Sequence, residues 1–272
     1  MKEEIFSWTP PSGSHSIPVH YRKTGTGPCI VLLHGFTESL RIWDDLSNAL
    51  SAAYTVIRPD LPGHGQTPVY GAVHAMEDMA DMIAQITQDQ KPHLVIGHSM
   101  GGYVALAYAD KYPERLLGLG LFHSTAAPDS TEKKADRLRA SALALQDKKG
   151  FVTTLIPRLF AQANRTTLAS AIEQLRMLAL QTPAEGISAA LLGMRQRPDR
   201  SHILQTISVP VLILYGLDDE VIPPARSAEE AKLPKDCMAH LLAKSGHMGF
   251  LEEPEETKNT IKKFIEHCIR KK

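Results

Sequence analysis

The 272-residue chain carries no net charge, because thirty Lys and Arg stand against thirty Asp and Glu. Without an excess of either sign there is no field to recruit nucleic acid or an anionic membrane, and Lys271-Lys272 is a two-residue basic tip, not a patch. No apolar run reaches membrane-spanning length. The chain opens Met1-Lys2-Glu3-Glu4 with no long apolar run behind it, so neither a secretory leader nor a membrane anchor is expected. Cysteine is scarce: Cys29, Cys237 and Cys268 are odd in number and lack metal-ligand spacing. Cys29 and Cys237 each begin an apolar run and read as buried free thiols, which suits a reducing, cytoplasmic compartment. The twelve histidines form no H-x-x-x-H pair. No metal and no cofactor are expected, and there is no internal repeat, low-complexity tract or long linker.

What remains is ordinary for a soluble globular chain, 43% apolar and 22% charged. The length fits one α/β domain with an insertion. Ile5 to Trp8 and Ile17 to Lys23 read as two strands about a Pro10-to-Gly13 turn. Cys29 to Leu33, Tyr54 to Arg58, His93 to Gly97 and Leu116 to Phe122 are short apolar runs of strands buried on both faces. Helical patterns separate them, at Ile42 to Leu50, at Met76 to Gln88 and from just past Gly102. This alternation predicts a parallel sheet with helices on both faces and active groups beyond the strands' carboxyl ends. From residue 125 to 205 the rhythm stops. Helices are expected at 131–147, 151–161, 165–180 and 183–196, the last with Thr182 as N-cap, Pro183 at N1 and Glu185 at N3. The sheet resumes at Pro210 to Tyr215 and Met238 to Ala243, and a helix from Pro254 to Arg270 closes the chain. The division predicted is a core of residues 1–124 and 206–272, with 125–205 as an all-helical cap over the strand ends.

The stretch on which the rest turns is Leu94-Val95-Ile96-Gly97-His98-Ser99-Met100-Gly101-Gly102. A strand ends, a helix begins, and Ser99 stands between them. So tight a turn forces Ser99 to positive φ, and Gly97 and Gly101 supply the missing side chains that let it close. A capping serine is the plain alternative. A serine hydroxyl is a weak nucleophile and needs an adjacent base that a carboxylate orients. In a strand–turn–helix context those partners follow in the order acid, then histidine. Asp218 and Asp219 follow the strand after the insert, and His247 follows the last strand.

With those residues in place, the chain resembles the α/β-hydrolase superfamily over essentially its whole length. Five motifs match in order: His34-Gly35-Phe36, Asp60-x-Pro62-Gly63-His64-Gly65, the Ser99 turn, Gly216-x-x-Asp219-x-x-x-Pro223, and Gly246-His247 with Glu252-Glu253-Pro254 behind it. The resemblance implies a mostly parallel eight-stranded sheet with a helical cap. Its G-x-x-D-x-x-x-P spacing selects Asp219 over Asp218, giving Ser99, Asp219 and His247 as the catalytic set. The amides of Met100 and, by resemblance, Phe36 are the expected oxyanion donors. The Phe36 side chain has two readings, as a wall of the acyl pocket or as plain packing. His34 and His64 are expected as structural hydrogen-bonding residues. His34, His98 and Met248 are also carried as residues shaping the substrate pocket.

Subgroup is less legible. Superfamily members with an Asp nucleophile are set aside because position 99 is Ser. Carbon–carbon bond hydrolases often carry Asn before the nucleophile and Trp after the histidine, where this chain has His98 and Met248. The resemblance therefore implies a carboxylic ester hydrolase acting on a small, largely apolar molecule through an acyl-enzyme. Carbon–carbon hydrolysis, cofactor-free perhydrolase or haloperoxidase chemistry, and a small-molecule receptor on the same fold are the alternatives. Oligomeric state is not readable.

Overall fold

A computed structural model describes residues 2–11, 15–90 and 92–271. The core elements alternate as the apolar pattern requires: β1 (Lys2–Trp8), β2 (Ile17–Thr24), β3 (Cys29–Leu33), α1 (Asp44–Leu50), β4 (Thr55–Pro59), α2 (Met76–Ile86), β5 (His93–His98), α3 (Met100–Lys111) and β6 (Leu116–Phe122). Between β6 and the next strand come only helices: α4 (Thr131–Gln146), α5 (Lys148–Arg158), α6 (Ala169–Gln181), α7 (Ala184–Gln196) and α8 (Ser201–Thr206), with a short 3-10 turn at Gln162–Asn164. Then follow β7 (Val211–Gly216), α9 (Pro224–Glu230), β8 (Cys237–Leu242), α10 (Gly249–Glu252) and α11 (Pro254–Arg270).

The strands form one eight-stranded sheet in the order β1-β2-β4-β3-β5-β6-β7-β8. β1 pairs antiparallel with β2 and β2 with β4, and all other pairings are parallel. Because strand side chains alternate between faces, each central strand feeds two cores. Ile30, Leu32, Leu94 and Ile96 pack with Trp43, Leu46 and Phe264 on the α1/α11 face. Val31, Leu33 and Val95 pack with Met79, Ile83 and Val104 on the α2/α3 face. That double burial is why these strands read as unbroken apolar runs. Helix α11 buries Thr257, Thr260, Ile261, Phe264, Ile265 and Cys268, the i, i+3, i+4 stripe of a helix lying on a sheet.

Several sequence expectations shift. Ser12 and Gly13 of the expected first turn lie outside the described residues. Helix α3 begins at Met100 instead of past Gly102, since the turn before it consumes only one residue. The N-cap of α7 is Pro183, not Thr182: Pro183 is extended at ψ 147° and its carbonyl accepts the first helical bond, from Ile187. Thr182 instead closes α6, its amide donating to the Ala179 carbonyl. Cys29 is buried, but Cys237 is only half-buried, because β8 is a sheet edge. Helix α8 was not anticipated. It leans on α3, and Arg200 just before it ties Glu77 of α2 (2.5 Å) and Asp110 of α3 (3.3 Å). Among the described residues no helix is long and apolar enough to cross a membrane.

Candidate active site

Strand β5 delivers the chain to His98 and α3 starts at Met100, so one residue makes the reversal. Ser99 does so at φ 50° and ψ −114°, a region that costs a non-glycine residue roughly 1–3 kcal/mol. Close packing holds it there. A Cβ on Gly97 would run into the backbone of Gly101, and one on Gly101 would lie 2.5 Å from the Leu33 carbonyl oxygen. The Ser99 amide donates to the Phe122 carbonyl at 2.9 Å, and its own carbonyl accepts from Ser124 Oγ at 2.8 Å. With its main chain tied down, the hydroxyl is left at a half-exposed position at the end of the sheet.

Three side chains from separate loops meet at this point. Ser99 Oγ lies 2.8 Å from His247 Nε2, and His247 Nδ1 lies 2.8 Å from Asp219 Oδ2. Asp219 sits in the loop after β7 and is 4% exposed, whereas Asp218 beside it faces solvent. All the acceptor capacity of Asp219 is used. Oδ1 takes the amides of Val221 (2.8 Å) and Ile222 (2.9 Å), and Oδ2 takes His247 Nδ1–H and His123 Nδ1–H (3.0 Å). Burial opposes its charge, but His247 and His123 outweigh burial and hold the carboxyl far below the usual carboxylate range. With an ionised acceptor on Nδ1, His247 carries its proton there and offers Nε2 as acceptor to the Ser99 hydroxyl.

His123 had no role in the sequence reading. It directly follows β6, at φ 48°, and burial lowers its pKa to about 4 against the pull of Asp219. It is therefore neutral at pH 7, donating from Nδ1 to Asp219 and accepting the Gly249 amide on Nε2 at 3.2 Å. His123, Asp219 and His247 present three donor atoms within 4.8 Å, a set that can hold a metal ion. Here both Nδ1 atoms carry protons toward the carboxylate, so the trio is a hydrogen-bonded relay.

The expected oxyanion donors are two main-chain amides. Met100 is the first residue of α3, where amides have no intrahelical acceptor, and Phe36 follows Gly35 at the end of β3. Neither amide finds an acceptor among the described residues. Met100 follows Ser99 in the chain, and Phe36, three residues past β3, the neighbour of β5, lines the same cavity as Ser99. The cavity in front of Ser99 has a volume of about 580 Å³, the size of a small-molecule pocket. Phe36, Ser99, Tyr103 and His247 line its sheet side, and the inserted helices supply Lys133, Arg137 and Ala140 from α4, Phe151, Leu155 and Arg158 from α5, and Leu191 and Met194 from α7. The Phe36 ring is thus a wall, edge-on to Phe151 at 6.4 Å.

The three residues carried as pocket-shaping do not line it. His34, His98 and Met248 are wholly buried. His34 Nε2 accepts the Leu61 amide at 2.9 Å and its Nδ1 meets the Gly35 carbonyl at 2.8 Å; His98 lies beneath the turn. None of the three is among the residues that line the cavity. His64, in its own glycine-flanked turn, contacts the Pro62 carbonyl through Nδ1 at 3.0 Å.

The insert reaches the site through its backbone as well. The Leu159 carbonyl accepts the His247 amide at 2.7 Å. Glu252 accepts the amides of Gly246 (2.9 Å) and Met248 (3.1 Å) on one oxygen, and the Ala161 amide (2.9 Å) and Asn164 Nδ2 (2.7 Å) on the other. One carboxylate therefore joins the His247 loop to the inserted segment. Its position in the final motif was the only trace of this in the sequence.

Residues 30–260 match the model of the Alpha/beta hydrolase family. A pimeloyl-(acyl-carrier protein) methyl ester esterase of Nitrosomonas europaea is 31% identical over 256 residues, spanning 88% of this chain and 96% of that protein. The dihydrolipoyllysine-residue acetyltransferase component of the acetoin cleaving system of Cupriavidus necator is 30% identical over 257 residues, 92% of this chain and 67% of that protein. Among solved structures, a thermophilic esterase from Thermogutta terrifontis with malate bound superposes with a TM-score of 0.92 at 33% identity, covering 97% of this chain and 99% of that one.

Proposed function

Because the chain belongs to the alpha/beta hydrolase family, we propose that the Ser99 centre performs its ester hydrolysis by two-step acyl transfer. The observation that carries this reading is the unbroken chain Ser99 Oγ–His247–Asp219, with both links at 2.8 Å, opening on a cavity. As Ser99 Oγ forms a bond to the ester carbonyl carbon, His247 Nε2 takes its proton and Asp219 steadies the imidazolium. The carbonyl oxygen becomes an oxyanion that accepts from the Phe36 and Met100 amides, donors worth about 10²–10³ in rate each. Collapse breaks the bond to the alcohol oxygen, which leaves with the proton from His247. Water then gives a proton to His247 as its oxygen bonds to the acyl carbon, and collapse breaks the bond to Ser99 Oγ, which takes that proton back from His247 as the acid leaves.

For the substrate, the apolar wall from α5 and α7 suits a small, largely apolar acyl group. Charges on the wall are mixed: Lys133, Arg137 and Arg158 are set against Glu132, Asp136 and Glu220, so no one sign of ligand is selected. In this reading residues 125–205 act as a cap that sets substrate choice, and the sheet loops set chemistry. The names of the two similar esterases support hydrolysis over carbon–carbon cleavage, perhydrolysis or reception. Turnover of p-nitrophenyl acetate and butyrate tests it. Sustained turnover abolished by Ser99→Ala is expected, and a single stoichiometric burst would overturn the assignment in favour of a receptor.

A further inference from the structure

Beneath the Ser99 turn lies a second charged pair that the acyl-transfer scheme does not use. His98 is wholly buried and Glu38 is 3% exposed. His98 Nδ1 is 3.1 Å from Glu38 Oε2, and His98 Nε2 is 2.9 Å from the His247 carbonyl oxygen. The carbonyl is an acceptor only, and so is Glu38 as a carboxylate: burial opposes its charge, but His98, His34 and the Gly35 amide outweigh burial and hold it below its ordinary range. Both bonds then form only if both ring nitrogens carry protons. The same Glu38 oxygen accepts the Gly35 amide at 2.5 Å. A Cβ on Gly35 would sit 2.7 Å from that oxygen and 2.8 Å from His98 Nδ1, so the glycine of the oxyanion loop is pressed directly onto the pair.

We propose that the Glu38–His98 ion pair is a positioning device that locks the oxyanion loop and the His247 main chain to the nucleophile turn. Through Glu38 it holds the amide next to Phe36, and through Nε2–H it holds the carbonyl of His247. The His247 main chain is thereby held at both its amide and its carbonyl, since the amide is already donated to the Leu159 carbonyl. This rests on the reading of Ser99, His247 and Phe36 as catalytic.

The device has a charge state, and its surroundings set it. The groups facing His98 are Glu38 and His34 from the loop after β3, His123 from the end of β6 (rings 5.8 Å apart), Asp219 from the loop after β7, and His247 from the loop after β8 (rings 5.2 Å apart). Burial works against the imidazolium, but Glu38, the two hydrogen bonds and Asp219 outweigh it and raise the pKa above the usual histidine value. If His98 loses a proton, Glu38 keeps Nδ1–H and a lone pair on Nε2 is turned onto the His247 carbonyl. The repulsion displaces the His247 peptide, and displacements near 1 Å at such a centre cost roughly 10² in rate.

The tests are Glu38→Gln and His98→Phe, each followed by kcat, KM and kcat/KM from pH 5 to 10 on p-nitrophenyl butyrate. All rates are referred to sites titrated with a fluorophosphonate. In Glu38→Gln the side chain still accepts from His98 but lacks the charge, so the alkaline limb of kcat/KM should move down by at least one pH unit while the acid limb stays. His98→Phe keeps the ring volume beside Phe122 and Phe250 and removes both donors. Its kcat per titrated site should fall about 10- to 100-fold with KM within threefold. Unmoved limbs in Glu38→Gln, or full kcat per titrated site in His98→Phe, would overturn the proposal. A loss only in the fraction of titratable sites would also overturn it, as the pair would then matter for folding alone. Absence of any titratable Ser99 in the unmodified protein would instead strike the acyl-transfer reading itself.

Discussion

Replacing Asp219 by Asn isolates one atom of charge in a site whose geometry leaves the amide only one way to sit. Val221 and Ile222 point backbone amides at Oδ1, and those donors are fixed by the chain. The amide oxygen must therefore face them, which turns the NH₂ toward His123 and His247. Neither ring can then keep its Nδ1 proton against that group. For His247 the consequence is the opposite tautomer, with Nε2–H aimed at Ser99 Oγ where an acceptor is needed. A histidine in the wrong tautomer at a serine centre loses about 10⁴ in kcat, close to 5 kcal/mol of transition-state stabilisation. Asp218→Asn is the control. Its side chain is exposed and its backbone amide donates to the Ser245 carbonyl at 3.0 Å, so kcat should change less than about twofold. Both variants are assayed on p-nitrophenyl butyrate, with far-UV circular dichroism confirming the fold. Asp219→Asn retaining a tenth of the activity, or Asp218→Asn as the more damaging change, would refute the reasoning.

Three further outcomes are expected. His64, His74 and His123 are pushed by burial from 6.5 to about 3, 4 and 4; a base depressed on folding is protonated more readily when unfolded, so stability is full above pH 6.5 and falls toward pH 4, by up to about 3 kcal/mol per histidine. Urea midpoints at pH 7 and 4.5 check this, and His74→Gln should flatten the fall. Glu252→Gln removes one of the two acceptor oxygens that join the His247 loop to the insert, so kcat should drop about tenfold or more with KM little changed; unchanged kcat would show that Leu159 and the Glu38–His98 pair suffice. Leu155→Ala or Met194→Ala widens the cavity without touching the backbone bonds at Leu159, so the preferred acyl length should rise, with discrimination of about 1–3 kcal/mol per methylene. Fluorophosphonate labelling of Ser99 should stay within a few-fold, and equal suppression of labelling and ester preference would refute that division of labour.

What the sequence determined on its own is local in origin. Period-two burial on both faces makes Cys29–Leu33 and Leu116–Phe122 unbroken apolar runs, and both strands form at those bounds. The positive φ of Ser99 follows from a strand and a helix separated by one residue between Gly97 and Gly101. The helical character of the insert follows from its loss of strand pattern, although the N-cap of α7 lies at Pro183, one residue past Thr182, because a proline can occupy either N1 or the cap. Tertiary structure alone decided what joins residues far apart in the chain. His123 meets Asp219 across 96 positions, His98 meets the His247 carbonyl across 149, and Glu252 meets Ala161 across 91. Nothing in the pattern around His98 separates a residue facing the cavity from one facing the sheet. That choice is made by Glu38 and the His247 carbonyl, which reach His98 only once the loops after β3, β5 and β8 are brought to the same end of the sheet. Hydrophobic period reports which way a side chain points relative to its own strand, and a hydrogen bond between loops depends on where the other strand has been placed.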